Sequence, residues 1–143
     1  MKMITKIQLN KTTKIAGLLL GLSILTQGIN REFFAEKIKN KEDLVRIMGE
    51  EESLIRKDNL PRTIYCTYGY TGWGTAGSGK LEGGKYFIIL DKHGRDRTII
   101  RHELYHIYAG HCDRAVEKGE WKGLDVLKNE LSARLYADFG LRF

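Results

Sequence analysis

The sequence predicts an α+β fold: an N-terminal helix, a small antiparallel or mixed sheet, a helix bearing two histidines, and a C-terminal helix bearing a glutamate. Three observations carry this prediction. Apolar residues recur at steps of three, four and seven through residues 31–58 and again through 124–139, the spacing of a helix face. Residues 62–68 (RTIYCTY) and 85–91 (KYFIILD) are rich in β-branched and aromatic side chains, as strands are. A chain of 143 residues, 42% hydrophobic and 29% charged, has room for one core and none for a second.

At the N-terminus, Lys2, Lys6, Lys11 and Lys14 precede an uncharged stretch, residues 15–30, centred on IAGLLLGLSIL. A basic region followed by an apolar one marks residues 1–30 as a signal peptide or N-terminal membrane anchor, with residues 31–143 as a single domain. The stretch falls short of the ~20 apolar residues of a comfortable spanning helix, which favours the signal peptide. Thr26 and Gly28 are acceptable at the −3 and −1 positions of a cleavage before Ile29. The lysine excess predicts that the domain lies outside the cytoplasm, secreted or periplasmic, or anchored to a membrane through residues 15–29. It also accounts for most of the basic character. Taking these four charges from the formal +6 leaves +2 for residues 31–143, so no nucleic-acid partner is expected.

The periodic stretch 31–58 predicts one amphipathic helix, or two broken near Gly49. Between the two strand-like runs, residues 69–84 hold seven glycines in sixteen positions, so they form a long connection, with a short strand near Trp73 as an option. Asp96 or Thr98 can cap a helix that runs to Ala109 and stops at Gly110. The glycine-rich segment contains GTAGSGK, residues 74–80, which fits the phosphate-binding frame G-x-x-x-x-G-K. Leu81, where that frame needs a hydroxyl for Mg²⁺, and the following Glu82-Gly83-Gly84 argue for a mobile loop instead.

His102-Glu103-Leu104-Tyr105-His106 is an H-E-x-x-H sequence. Four residues apart on a helix, the two histidines share a face and both reach one metal ion. Glu103, rotated by about 100° from His102, meets a metal-bound water. Ile99, Ile100, Leu104 and Ile107 frame this helix as a core element, where two histidines and a glutamate have little structural reason to be. A catalytic zinc site takes three protein ligands and leaves a fourth position open. Glu130 is the first choice for the third ligand. With Ala133 and Ala137 it lies within about 60° of arc, where small residues let helices approach. His111, Cys112 and Asp113, just past Gly110, remain alternatives; the extended motif with a histidine three residues beyond its glycine would need Gly at Ala109 and a ligand at Cys112.

The run YFIILDKHGRDRTIIRHELYHIYAGH followed by NELSARLYADF resembles the zinc-metallopeptidase core of the gluzincins, and is similar to ImmA/IrrE-type and minimal gluzincin domains. There a strand leads into H-E-L-x-H and a later helix supplies Glu in an E-x-x-A-x-x-[FY]-A setting, matched here by Glu130, Ala133, Tyr136 and Ala137. The resemblance covers residues 85–140. It implies a minimal zincin fold, Zn²⁺ held by His102, His106 and Glu130, and Glu103 as general base. The expected activity is peptide-bond hydrolysis by a zinc-activated water. A polypeptide substrate would bind by strand addition to residues 85–91, and Tyr105, Tyr136 or His111 would serve the oxyanion or orient a ligand. The alternative reading is a non-catalytic zinc-binding structural or interaction module. Cys66 and Cys112 can pair in an exported domain, or remain two independent buried thiols.

Overall fold

Local propensity and capping set most of the helices. In the computed structural model, which describes residues 11–56, 61–72, 74–118 and 124–141, the order is α1 (Lys11–Phe33), α2 (Lys41–Ile55), β1 (Ile64–Tyr68), β2 (Ala76–Lys80), β3 (Tyr86–Leu90), α3 (Arg97–Tyr108), α4 (His111–Lys118) and α5 (Leu124–Phe139). The fold is α+β, a small three-stranded mixed sheet with helices against one face. Asn40 caps α2 by accepting from the Asp43 amide at 2.8 Å. Asp96 caps α3 by accepting from Ile99 at 3.1 Å. Gly110, at φ 73°, ends α3 in the left-handed region that glycine tolerates.

The sheet order is β1-β3-β2, with β1 parallel and β2 antiparallel to β3. Ile88 at the centre of β3 stands opposite Cys66 on one side and Ser78 on the other. Laterally paired residues point to the same face, so Cys66, Ile88 and Ser78 form one row beneath the helices. The 85–91 run is therefore the central strand, hydrogen-bonded on both sides, and offers no edge for strand addition. This corrects the expectation placed on it. The edge nearest α3 and α4 is β2, in the segment expected to be a connection. The glycines there hide the strand signal yet permit the strand: a Cβ on Gly79 would lie 2.7 Å from the Phe87 ring that covers it. The phosphate-binding frame falls on this strand, with only a short 3₁₀ turn, Glu82–Gly84, after it. Lys80 pairs with Asp113 at 2.8 Å. Trp73 lies outside the described residues.

The core joins α2, α3, β3 and α5. Leu44, Ile47 and Ile55 of α2 meet Ile99, Ile100, Leu104 and Ile107 of α3 over Ile88 and Leu90. Full burial of each such side chain contributes about 1.5–3 kcal/mol. No break occurs at Gly49, which is exposed inside a continuous α2; residues 31–33 belong to α1, and positions 57–58 of the expected helix lie outside the described residues. Glu51, 1% exposed, reaches from α2 to Arg97 at 2.9 Å and Arg101 at 2.6 Å on α3. The same α3 carries the histidines, so this buried ion cluster fixes the scaffold of the site.

α1 runs without interruption through Gly28 and Ile29 and packs on α5. Its Arg31 Nε donates to the buried Asp96 carboxylate at 2.9 Å, and its Nη2 donates to the His93 carbonyl. Residues 1–10 of the expected leader lie outside the described residues. Among those described, no helix is long and apolar enough to cross a membrane.

Candidate metal centre

Four residues of helix bring His102 and His106 to one face of α3, and the packing of α5 across α3 brings Glu130 to them. His102 Nε2 and His106 Nε2 stand 3.1 Å apart. Glu130 Oε2 lies 3.5 Å from the first and Oε1 lies 3.3 Å from the second. Donors about 2.0–2.1 Å from a central ion at tetrahedral angles lie about 3.3–3.4 Å from one another, so these spacings are close to those of metal ligands, with a different Glu130 oxygen facing each histidine. The group can hold a metal ion. Both histidines are buried, while the Glu130 side chain is 34% exposed, which leaves an approach to the fourth corner.

Electrostatics supports an ionised ligand at Glu130. Burial pushes its pKa up, but the imidazoles of His102 and His106 outweigh that and hold it well below the usual carboxylate range. The carboxylate is thus ready to bind a cation at any ordinary pH.

Of the alternative third ligands, none joins the group. His111 Nδ1 meets His106 Nδ1 at 2.9 Å, on the side of the ring away from Glu130. Burial first, then His106 and Arg114, pull its pKa down to about 4, so at neutral pH it is uncharged and exchanges a single hydrogen bond with His106. Cys112 donates to Ser78 Oγ at 3.8 Å. Asp113 accepts from Tyr86, Arg62 and Lys80. These residues sit in α4, a helix that restarts directly after Gly110. Tyr105 and Tyr136 stack at 4.9 Å between ring centres in the core, both nearly inaccessible, and do not line the cleft beside the metal group. Cys66 and Cys112 are free thiols, each pushed up to about 11 chiefly by burial.

That cleft encloses about 480 Å³. His102, Glu103 and Glu130 line it together with Arg134 of α5, Gly28 and Arg31 of α1, and the start of β2. A larger hollow of about 860 Å³ by Tyr68, Asp91 and Arg95 shares Gly74 and Thr75 with the cleft but contains none of the metal-binding group, so the chemistry belongs to the smaller one. Gly94 lets its loop approach the shared Thr75 closely: a Cβ there would lie 1.9 Å from the Thr75 carbonyl oxygen.

Sequence reasoning missed Ser78. Its hydroxyl donates to Glu103 Oε2 at 2.7 Å and fixes the carboxylate of the motif. Only the alternation of Ser78 with Gly77 and Gly79 hinted at a strand, and no local pattern tied it to a residue 25 positions later. The contribution of α1 to the cleft was equally hidden. Comparison with family models, with curated proteins and with solved structures gave no match.

Proposed function

We propose that the chain is a zinc-dependent metallopeptidase that uses His102, His106 and Glu130 as ligands and Glu103 as general base. The observation that carries this reading is the three-cornered donor set with Glu103 in the same cleft, one residue from a ligand yet outside the ligand group. Two histidines, one glutamate and an open fourth position are the donor set of catalytic zinc. Zinc bound there would supply a water acidified toward pKa ~7 and a Lewis acid for the scissile carbonyl.

The protein's own groups do the rest. Glu103, aimed by Ser78, accepts the proton of the attacking water and delivers it to the leaving amine nitrogen. An extended polypeptide fits along β2, whose edge away from β3 is unpaired among the described strands and whose first residues line the cleft. Main-chain hydrogen bonds would align it there, with pockets beside the metal selecting side chains.

The purified full chain is expected to hold about one zinc per molecule. Glu103→Gln should keep that zinc and lose peptide hydrolysis by about 10²–10⁴-fold. Protein that takes up no zinc at neutral pH, or a Gln variant with undiminished cleavage, would overturn the reading. A structural zinc module differs in one respect: its properties would not respond to Glu103→Gln.

A further inference from the structure

The two ligand histidines differ at the nitrogen that points away from the metal position. Each offers Nε2 to the site, so each leaves Nδ1 for a partner. His106 Nδ1 has His111 at 2.9 Å. His102 Nδ1 is buried and makes no hydrogen bond.

A second group with buried polar atoms lies on the facing helix. Asp138, two turns beyond Glu130 on α5, has both carboxylate oxygens buried without a completed hydrogen bond. Burial raises its pKa; the side chains of Asn30 and Arg134, the His102 ring and Arg101 act against that rise without cancelling it. His102 is therefore within electrostatic reach of Asp138. Buried polar groups are almost always paired, and His102 Nδ1 and the Asp138 oxygens, on facing helices, are among the buried atoms without a hydrogen bond.

Ligation would give both a role. An imidazole that gives its Nε2 lone pair to a metal carries its hydrogen on Nδ1, and so becomes an obligatory donor there. An ionised carboxylate is an acceptor only. The outer nitrogen of a metal-ligating histidine is normally bonded to a carboxylate, a carbonyl or a water, which fixes the ring and strengthens the ligand. Around His102, Arg134 and Arg101 are donors only and cannot fill this role.

We infer that Asp138 is the acceptor for His102 Nδ1–H and positions the His102 ring for the metal. Asp138 is then a positioning residue, to His102 what His111 is to His106, supplied by α5 rather than by the segment after α3. It also explains a buried acid on the helix that brings Glu130: one element delivers both a ligand and the group that orients another. The inference rests on the metal-site reading above.

Zinc affinity of the full chain, measured by competition with a chromophoric chelator, tests both separately. Asp138→Ala should weaken zinc binding by about 10–100-fold. Asp138→Asn, whose amide oxygen still accepts but carries no charge, should fall between wild type and the alanine variant. Metal-free Asp138→Ala should melt no lower than metal-free wild type, because it loses a buried carboxylate that has no completed hydrogen bond, while the gain in Tm on adding zinc shrinks. Asn30→Ala, which removes the other side chain beside Asp138, should stay within about twofold of wild type in zinc affinity. Wild type that binds zinc, with both Asp138 variants binding within twofold of it, would overturn the inference and leave the metal site standing. A larger loss in Asn30→Ala than in Asp138→Ala would also overturn it. Wild type that binds no zinc removes the metal-site reading and this inference with it.

Discussion

The cleft has two unlike walls. One is α3 with β2, backed by α4, where Glu103 and His106 have partners: Ser78 holds Glu103, His111 holds His106, and the Cys112 thiol turns to Ser78. The other is α5 with α1, where Glu130 and Arg31 are partly exposed, and where Asp138 makes no completed hydrogen bond. The first wall sits on the sheet and on the α2–α3 core; the second is held to it through helix packing and the Arg31–Asp96 pair. The difference teaches where preorganisation resides. Glu103 and His106 each have a protein partner without any metal, and on the proposed reading the opposite wall would gain part of its order from a bound ion.

The sharpest way to break this contrast is at Ser78. Ser78→Ala should lower turnover about 10-fold while zinc affinity stays put, and Ser78→Thr, which keeps the hydroxyl, should recover part of it. A KM effect with unchanged kcat would show instead that the strand serves only to bind substrate. Arg31→Ala tests the second wall. It removes the tie between α1 and Asp96, and urea unfolding should register a loss of about 1 kcal/mol, discounted for the partial exposure of Arg31. If the walls are as unlike as described, turnover at saturating zinc should change less than in Ser78→Ala.

The smallest effect appears only in acid. Burial raises the Asp113 pKa, but Lys80, Tyr86 and Arg62 outweigh it and bring the carboxyl down to about 2. A carboxyl depressed on folding adds stability above its unfolded pKa of about 4, and that stability is lost as pH falls toward 2. Asp113→Asn should therefore flatten the decline of Tm across that window and leave neutral-pH zinc affinity unchanged. An unaltered acid slope would remove Asp113 from the first wall's anchoring.

The legible part of the site follows from range. The spacing of His102 and His106 is a property of one helix, closed by hydrogen bonds four residues apart, with Asp96 and Gly110 readable as its ends. Glu130 was legible for a related reason: its helix, Leu124–Phe139, has the predicted bounds, and the alanines beside it mark the approach face. β2 was not legible, because Ala-Gly-Ser-Gly-Lys has almost no strand propensity of its own. Its pairing with β3 and the cover of Gly79 by Phe87 supply what the side chains lack. The N-terminal leader was read from charge and hydropathy, which say nothing about what a segment packs against. α1 places Gly28 and Arg31 in the cleft wall, and a cleavage before Ile29 would take Gly28 away.

By itself, then, the sequence determined the α+β class, the helix that carries H-E-x-x-H and the helix that carries Glu130, because short-range periodicity and capping are written within each segment. Only the tertiary structure decided that β3 is central and β2 the edge, that Ser78 meets Glu103, and that α1 flanks the candidate metal group. Each of these depends on contacts between residues far apart in the chain, and no local pattern encodes a distance across a fold.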